Sequence, residues 1–173
     1  MMAETENIMR KINLNKVVLN MGVGRSGDSI EVAKRAMDQI SSKKSCARNA
    51  KAAQRDWGIR KGEPIGVAVT VRGQDAKDLL KRLLEAIGNN LKGKSFDNFG
   101  NVSFGILEHI DIPGIKYDPQ IGILGLNVSI SMTRPGFNIR IRSRHKSHIG
   151  KKHLITKQDA QNYLTQEFGV AIV

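Results

Sequence analysis

Two glycine-rich segments, a scatter of histidines and one cysteine are the places where this chain offers chemistry. Gly22-Val23-Gly24-Arg25-Ser26-Gly27 satisfies G-x-G-x-x-G, the turn in which glycines let the backbone approach a pyrophosphate at a helix N-terminus. That chemistry also needs a following parallel strand that ends in an acid for the ribose. The residues that follow, Ser45 to Lys51, are basic and acid-free, so no dinucleotide site is expected; the N–H groups that such glycines expose remain available to any phosphate. Gly88-Asn89-Asn90-Leu91-Lys92-Gly93-Lys94-Ser95 matches G-x-x-x-x-G-K-S letter for letter. A phosphate-cradling loop needs a strand before it and a helix after it. Here a helical pattern precedes and Phe96-Asp97-Asn98-Phe99-Gly100-Asn101 follows, which reads as a helix stop and a basic loop.

Of His109, His145, His148 and His153, the last three lie in a run of bases that opposes a metal, and no cysteine or carboxylate lies nearby to complete a site. Glu108-His109-Ile110-Asp111 holds acid and imidazole in series, but neighbours on an extended chain point to opposite faces. Cys46 sits among cations with no histidine base near it, so it is expected to be a buried or incidental thiol. No catalytic residue, metal or cofactor is expected, and the chain reads as a non-enzyme.

The charge is more informative. Twenty-eight Lys and Arg against 16 Asp and Glu leave a formal charge of +12 and a pI near 10.1, which calls for a polyanionic partner, nucleic acid first. Seven bases (Lys43, Lys44, Arg48, Lys51, Arg55, Arg60, Lys61) fall between Ser41 and Gly62 against one acid, Asp56. Between Asp118 and Asp159 no acid occurs, while Arg134, Arg140, Arg142, Arg144, Lys146, Lys151, Lys152 and Lys157 all do. Like charges this dense repel one another unless something neutralises them. The acidic start, with Glu4 and Glu6, lacks a secretory pattern and no apolar stretch is long enough for a membrane span. A cytoplasmic protein with no membrane partner is expected.

Periodicity supplies the elements that must hold these groups. Val17, Leu19, Met21 and Val23 alternate with Lys16, Val18, Asn20 and Gly22, and Ile65, Val67, Val69 and Val71 alternate with Gly66, Ala68, Thr70 and Arg72. Leu124 to Met132 alternates likewise, with Asn127, Ser129 and Ser131 outward. Asp28 with Glu31 predicts a capping box for a helix carrying Ile30, Ala33, Met37 and Ile40. Ala76, Leu79, Leu80, Leu83, Leu84 and Ile87 mark the strongest helix, and a last one opens at Thr156 with Asp159 and stops at Gly169. One-sided strands with one-sided helices predict an α+β fold of two layers, an antiparallel-rich sheet with helices on one face and the other face open. A single domain spanning residues 1–173 is expected, with a basic loop at about 51–63 and a basic insertion at about 134–153.

The open face is predicted to carry Asn20, Gly22, Ala68, Thr70, Asn127, Ser129 and Ser131, hydrogen-bonding or small groups without the aromatic pair on which an RNA-recognition sheet stacks bases. Contact there would read backbone and 2′-hydroxyls. The long loop before the second strand holds the only tryptophan. Trp57 is either an aromatic contact for a nucleotide or, as favoured here, a staple that fixes the loop to the core.

Ordered motifs then carry a resemblance: Asn20-Met21-Gly22-Val23-Gly24, Arg60-Lys61-Gly62-Glu63-Pro64-Ile65-Gly66, Val69-Thr70-Val71-Arg72-Gly73, Ser95-Phe96-Asp97, Phe104-Gly105-Ile106, His109-Ile110-Asp111-Ile112-Pro113-Gly114 and Tyr117-Asp118-Pro119. Over about residues 12 to 173 the chain resembles the universal large-subunit ribosomal protein five family, called eleven in eukaryotes. Arg134-Pro135-Gly136-Phe137, Lys152-His153 and the last helix resemble its archaeal and eukaryotic branch. The resemblance implies a structural protein of the large ribosomal subunit, with large-subunit rRNA and neighbouring ribosomal proteins as partners. It also implies binding of 5S rRNA, its docking into the central protuberance, and a loop directed at P-site tRNA. On residues and resemblance together, the rRNA-binding candidates are Asn20, Gly22, Arg25, Arg48, Thr70, Arg72, Asn127, Ser129, Arg140, Arg142, Arg144 and Lys146. Those of the tRNA-facing loop are Lys51, Arg55, Trp57, Arg60 and Lys61. The family usually has a second base after the position of Lys51, where this chain has Ala52 and Ala53. Two rivals follow from the same residues: a nucleotide enzyme built on the glycine motifs, and a nonspecific nucleic-acid chaperone built on charge alone.

Overall fold

Alternation sets the central strand. β1 (Asn13–Gly22) buries Val17, Leu19 and Met21 and turns Asn20 and Gly22 to the opposite face. The computed structural model describes residues 7–24 and 27–173. β1 pairs antiparallel with β3 (Pro64–Val71) on one side and β6 (Leu126–Thr133) on the other. The edges are β2 (Cys46–Asn49) and β5 (Val102–Ile106), giving a five-stranded antiparallel sheet in the order β2-β3-β1-β6-β5. β6 begins later than its alternation predicts because the backbone of Leu124 is taken: its N–H donates to His109 Nδ1 at 3.3 Å and its carbonyl accepts from the His109 N–H at 3.0 Å.

The inward faces of these strands join one apolar cluster with α1 (Asp28–Ser41) and α2 (Gln74–Ala86). α2 buries Ala76, Leu79, Leu80, Leu83 and Leu84 as its spacing predicts, and truncating one of these, Leu80→Ala, costs about 3 kcal/mol. α1 buries Ala36 in addition to the predicted stripe. Its capping box does not form: Gly27 is the N-cap, and Asp28 and Glu31 lie inside the first turn, where their charge suits the positive helix end. α4 (Lys157–Phe168) does have its predicted box, Thr156 Oγ1 accepting from the Asp159 N–H at 3.2 Å and Asp159 Oδ2 from the Thr156 N–H at 3.1 Å. Ala160 and Leu164 of α4 enter the same core. Gly100 is required below this helix, because a Cβ there would collide with Ile155 Cγ2.

Two short strands, β4 (Asn90–Leu91) and β7 (Ala171–Ile172), form a separate parallel pair. They settle the second glycine motif: the Gly93 N–H donates to the Val173 carbonyl at 2.7 Å and a 3-10 turn, Gly93–Ser95, follows in place of a helix. The first motif fails its context too, because β2, the strand after α1, runs antiparallel to β3 at the sheet edge. The N–H groups of Val23 and Gly24 both donate to the Ile65 carbonyl at 3.0 Å, so these two amides are not free for a phosphate.

Candidate nucleic-acid interface

Strand register arranges the open face in rows. Cys46, Ala68, Asn20, Asn127 and Gly105 lie opposite one another across all five strands. The next row holds Thr70, Val18, Ser129 and Ser103. Arg48, Gly66 and Gly22 flank the first row, and Lys16 with Ser131 flanks the second. With strands about 4.8 Å apart, the face is roughly 19 Å wide. Asn20, Gly22, Arg48, Thr70, Asn127 and Ser129 are thus brought together and exposed, with Arg72 exposed just past the end of β3. Ala68 departs from expectation: it is buried, although it stands in the same row as Cys46 and Asn20. Cys46 is exposed rather than buried, its thiol donating to the Ala68 carbonyl at 3.2 Å. Arg25 lies outside the described residues.

Gly66 keeps two strands close. A Cβ there would meet the Met21 carbonyl oxygen at 2.9 Å, whereas Gly22 beside it faces open space.

The basic segments leave opposite ends of this face. Asn13 pairs with Thr133, after which residues 134–153 begin, while Gly22 pairs with Gly66, just beyond the end of loop 51–63. The 10 residues of β1 separate them, roughly 30 Å at the usual strand rise.

Loop 51–63 is a hairpin extension rather than an irregular loop. The Ala50 N–H donates to the Glu63 carbonyl at 2.8 Å and the Gly62 N–H to the Ala50 carbonyl at 2.9 Å. Gln54 and Ile59 exchange two further backbone bonds, and a 3-10 turn, Arg55–Trp57, forms the tip. Lys51, Arg55, Arg60 and Lys61 are exposed, and Trp57 is 75% exposed. The staple expectation for Trp57 is therefore wrong. The loop is shaped by its backbone, which leaves the indole in solvent.

Two side chains, Arg134 and His153, tie the start of segment 134–153 to its end. Arg134, with its side chain only 11% exposed, donates from Nη1 to the carbonyls of Leu154 at 3.3 Å and His153 at 3.5 Å, and from Nη2 to Asp159 Oδ2 at 3.0 Å. Its guanidinium clasps the start of the segment to its end. His153 Nε2 lies 2.9 Å from the Pro135 carbonyl and its ring meets Phe137 edge-on at 5.8 Å. Within the clasp, α3 (Asn138–Ile141) and a turn held by Arg142 Nε donating to the His145 carbonyl at 2.9 Å carry the charge. Arg140, Arg142, Arg144 and Lys146 are all exposed, and Arg140 and Lys146 line a cleft of about 610 Å³ with Ser147, His148, Ile149 and Leu154. These four bases do not join the sheet-face rows.

No catalytic constellation is assembled among the described residues. His109 is 1% exposed in a 3-10 turn, not on an extended chain, and its Nδ1 accepts from the Leu124 amide. The imidazole is a structural tie. Among the described residues no group of three or more His, Cys, Asp or Glu is placed to hold a metal ion, and no helix is long and apolar enough to cross a membrane. Two groups with shifted pKa values lie off the open face: the Lys43 ammonium lowers the Asp75 carboxyl, and burial, helped by the charge of Glu167, raises the Tyr163 phenol. Sequence reasoning missed Lys16, Ser103 and the exposed Phe99 at the rim of the face. β5 was legible in the alternation of Val102, Phe104 and Ile106, and it places Ser103 outward.

Fold and surface define a basic α+β protein that offers a polar sheet face, neutral in its two central rows, between two cationic ends. The family model of ribosomal protein L5 matches residues 7–60, and that of the C-terminal part of the same ribosomal family matches residues 64–171. The chain belongs to the ribosomal protein L5 family. It is 68% identical over 168 residues to the large ribosomal subunit protein uL5 of Nitrosopumilus maritimus, covering 97% of each chain. It is 63% identical over 165 residues to that of Cenarchaeum symbiosum, covering 95% of this chain and 98% of the relative. Against that of Sulfurisphaera tokodaii it is 46% identical over 175 residues, covering 99% of both. These relatives are archaeal, as the basic insertion led one to expect. Membership in a family of structural ribosomal proteins, rather than any missing cleft, sets aside the nucleotide-enzyme reading.

Proposed function

We propose that this protein is a non-catalytic RNA scaffold of the large ribosomal subunit in the cytoplasm, which binds 5S rRNA and helps attach it in the central protuberance. The observation that carries this reading is the pairing of a neutral, hydrogen-bonding face with cationic segments at both its ends. Asn20, Gly22, Thr70, Asn127 and Ser129 read the shape and 2′-hydroxyls of an RNA surface, while Arg25, Arg48, Arg72, Arg140, Arg142, Arg144 and Lys146 hold phosphates. Loop 51–63 sits at the far end of β1 from segment 134–153, an arrangement suited to a second RNA. It presents Lys51, Arg55, Trp57, Arg60 and Lys61 to P-site tRNA, the charge of Arg55, Arg60 and Lys61 standing in for the base absent at Ala52. Large-subunit rRNA and neighbouring ribosomal proteins complete the surroundings.

Equilibrium binding to homologous 5S rRNA against a length-matched control RNA tests the reading. A preference of about a hundredfold at physiological salt is expected. Equal affinities that fade together as salt rises would reduce the protein to a nonspecific chaperone.

A further inference from the structure

A phenylalanine held in solvent by a rigid turn needs a reason. Phe99 is 62% exposed, yet its backbone is fixed. Asp97 Oδ1 accepts from the N–H groups of Phe99 at 2.9 Å and Asn101 at 2.6 Å, Oδ2 accepts from Asn101 Nδ2 at 2.7 Å, and the Asp97 N–H donates to the Asn101 carbonyl at 3.0 Å. Gly100, pressed against Ile155, anchors the same turn to the core. The ring is thus displayed at no further cost in chain ordering. It lines a groove of about 270 Å³ together with Lys16, Asn101, Ser131, Arg140 and Ile141, and no acid contributes to that lining. The groove is the end of the open face itself: the register shift between Leu14 and Lys16 leaves an extra residue in β1, after which Lys16 stands opposite Ser131.

We propose that this groove seats one unpaired base of the bound RNA, stacked on Phe99 and walled by Ile141, with Lys16 and Arg140 on its flanking phosphates. The site rests on the RNA-scaffold reading and adds to it a base-contacting element that the sheet rows lack. Three features select this occupant. The two cations that line the groove outnumber the one carboxylate beside it, Asp97, whose oxygens already accept from three N–H groups, so the groove favours a polyanion, and an aromatic face beside an aliphatic wall takes a flat ring. Amide and hydroxyl groups from Asn101 and Ser131 then suit a base edge. A base inside a duplex is already stacked and paired, so the nucleotide is one from a bulge, loop or end.

The test uses the full chain and 5S rRNA. Phe99→Ala is expected to weaken binding about tenfold or more, with the salt slope unchanged, and Phe99→Tyr to retain affinity. In a chain carrying Trp57→Phe and Phe99→Trp, the only indole lies in the groove and its emission is expected to be quenched as 5S rRNA is added. Unchanged affinity of Phe99→Ala, or an indole at position 99 indifferent to RNA, overturns the stacking site while leaving the scaffold reading intact; the ring would then belong to a protein contact. A wild-type chain with no preference for 5S rRNA overturns the scaffold reading and this site with it.

Discussion

The neutral sheet face and the basic segment 134–153 meet solvent side by side but are built in opposite ways. Between Arg48 and Lys16, the two central rows of the face are made of short side chains on a ladder of backbone hydrogen bonds, so each group's position there follows from strand register alone. The segment has one turn of helix and long side chains, and its ends are joined through the Arg134 guanidinium and the His153 ring. On the proposed RNA-scaffold reading, the difference divides the work: fixed, short groups discriminate, whereas long charged groups attract at a distance and tolerate variation in what they meet.

The largest effect that would break this contrast is loss of the clasp. Arg134→Ala removes an ion pair and bonds to two carbonyls from a partly buried site, an expected loss of about 2–3 kcal/mol. Urea unfolding measures the stability, and limited proteolysis should open residues 134–153 first while hairpin 51–63 stays intact. A segment as resistant to cleavage as in wild type would show that its order does not depend on Arg134.

A smaller effect sharpens the role of the face. Thr70→Leu places a branched apolar group in the row with Val18 and Ser129 and is expected to weaken 5S rRNA binding about tenfold, with the slope against salt unaltered. Single charge removals are gentler still. Arg144→Ala should lower the salt slope by roughly 0.7 to 0.9 for one released phosphate contact, a loss that shrinks as salt rises.

The smallest effect concerns the helical side. Lys43 Nζ lies 2.7 Å from Asp75 Oδ2 and holds that carboxyl below its ordinary value of 3.8. A lowered carboxylate pKa stabilises the fold above the unfolded-state value and ceases to do so as pH falls through the folded one. Acid unfolding of Lys43→Ala should therefore match wild type once the pH has fallen through the lowered Asp75 value and fall slightly short of it above 3.8 and towards neutrality; both groups are solvated, so the difference is small.

How far the residues foretold this arrangement depended on range. β1, β3, β6, α2 and α4 were legible because each carries its own period or cap. β2 was not: Cys46-Ala47-Arg48-Asn49 has no apolar alternation, and its extended state comes from pairing with β3. The box at Asp28 failed because the chain begins its helix at that residue, with Gly27 as cap. Five sheet-face candidates (Asn20, Gly22, Thr70, Asn127 and Ser129) came together because alternation and register are the same regularity, and Arg48 joined them through the pairing of β2 with β3. Phe99 and Arg134 stayed hidden for a common reason. What matters about each is its place beside residues distant in sequence, Phe99 sharing a groove with Lys16 and Arg134 paired with Asp159, and no local period reports such a placement.

The ratio of affinities for 5S rRNA and for control RNA, taken across a salt series in wild type, Thr70→Leu and the double variant Arg144→Ala with Lys146→Ala, tests the division of labour most directly. If the face discriminates and the segment attracts, the ratio collapses for Thr70→Leu at every salt concentration and survives in the charge variant, whose slope alone falls. A ratio that follows the charge variant and ignores Thr70 would contradict that division.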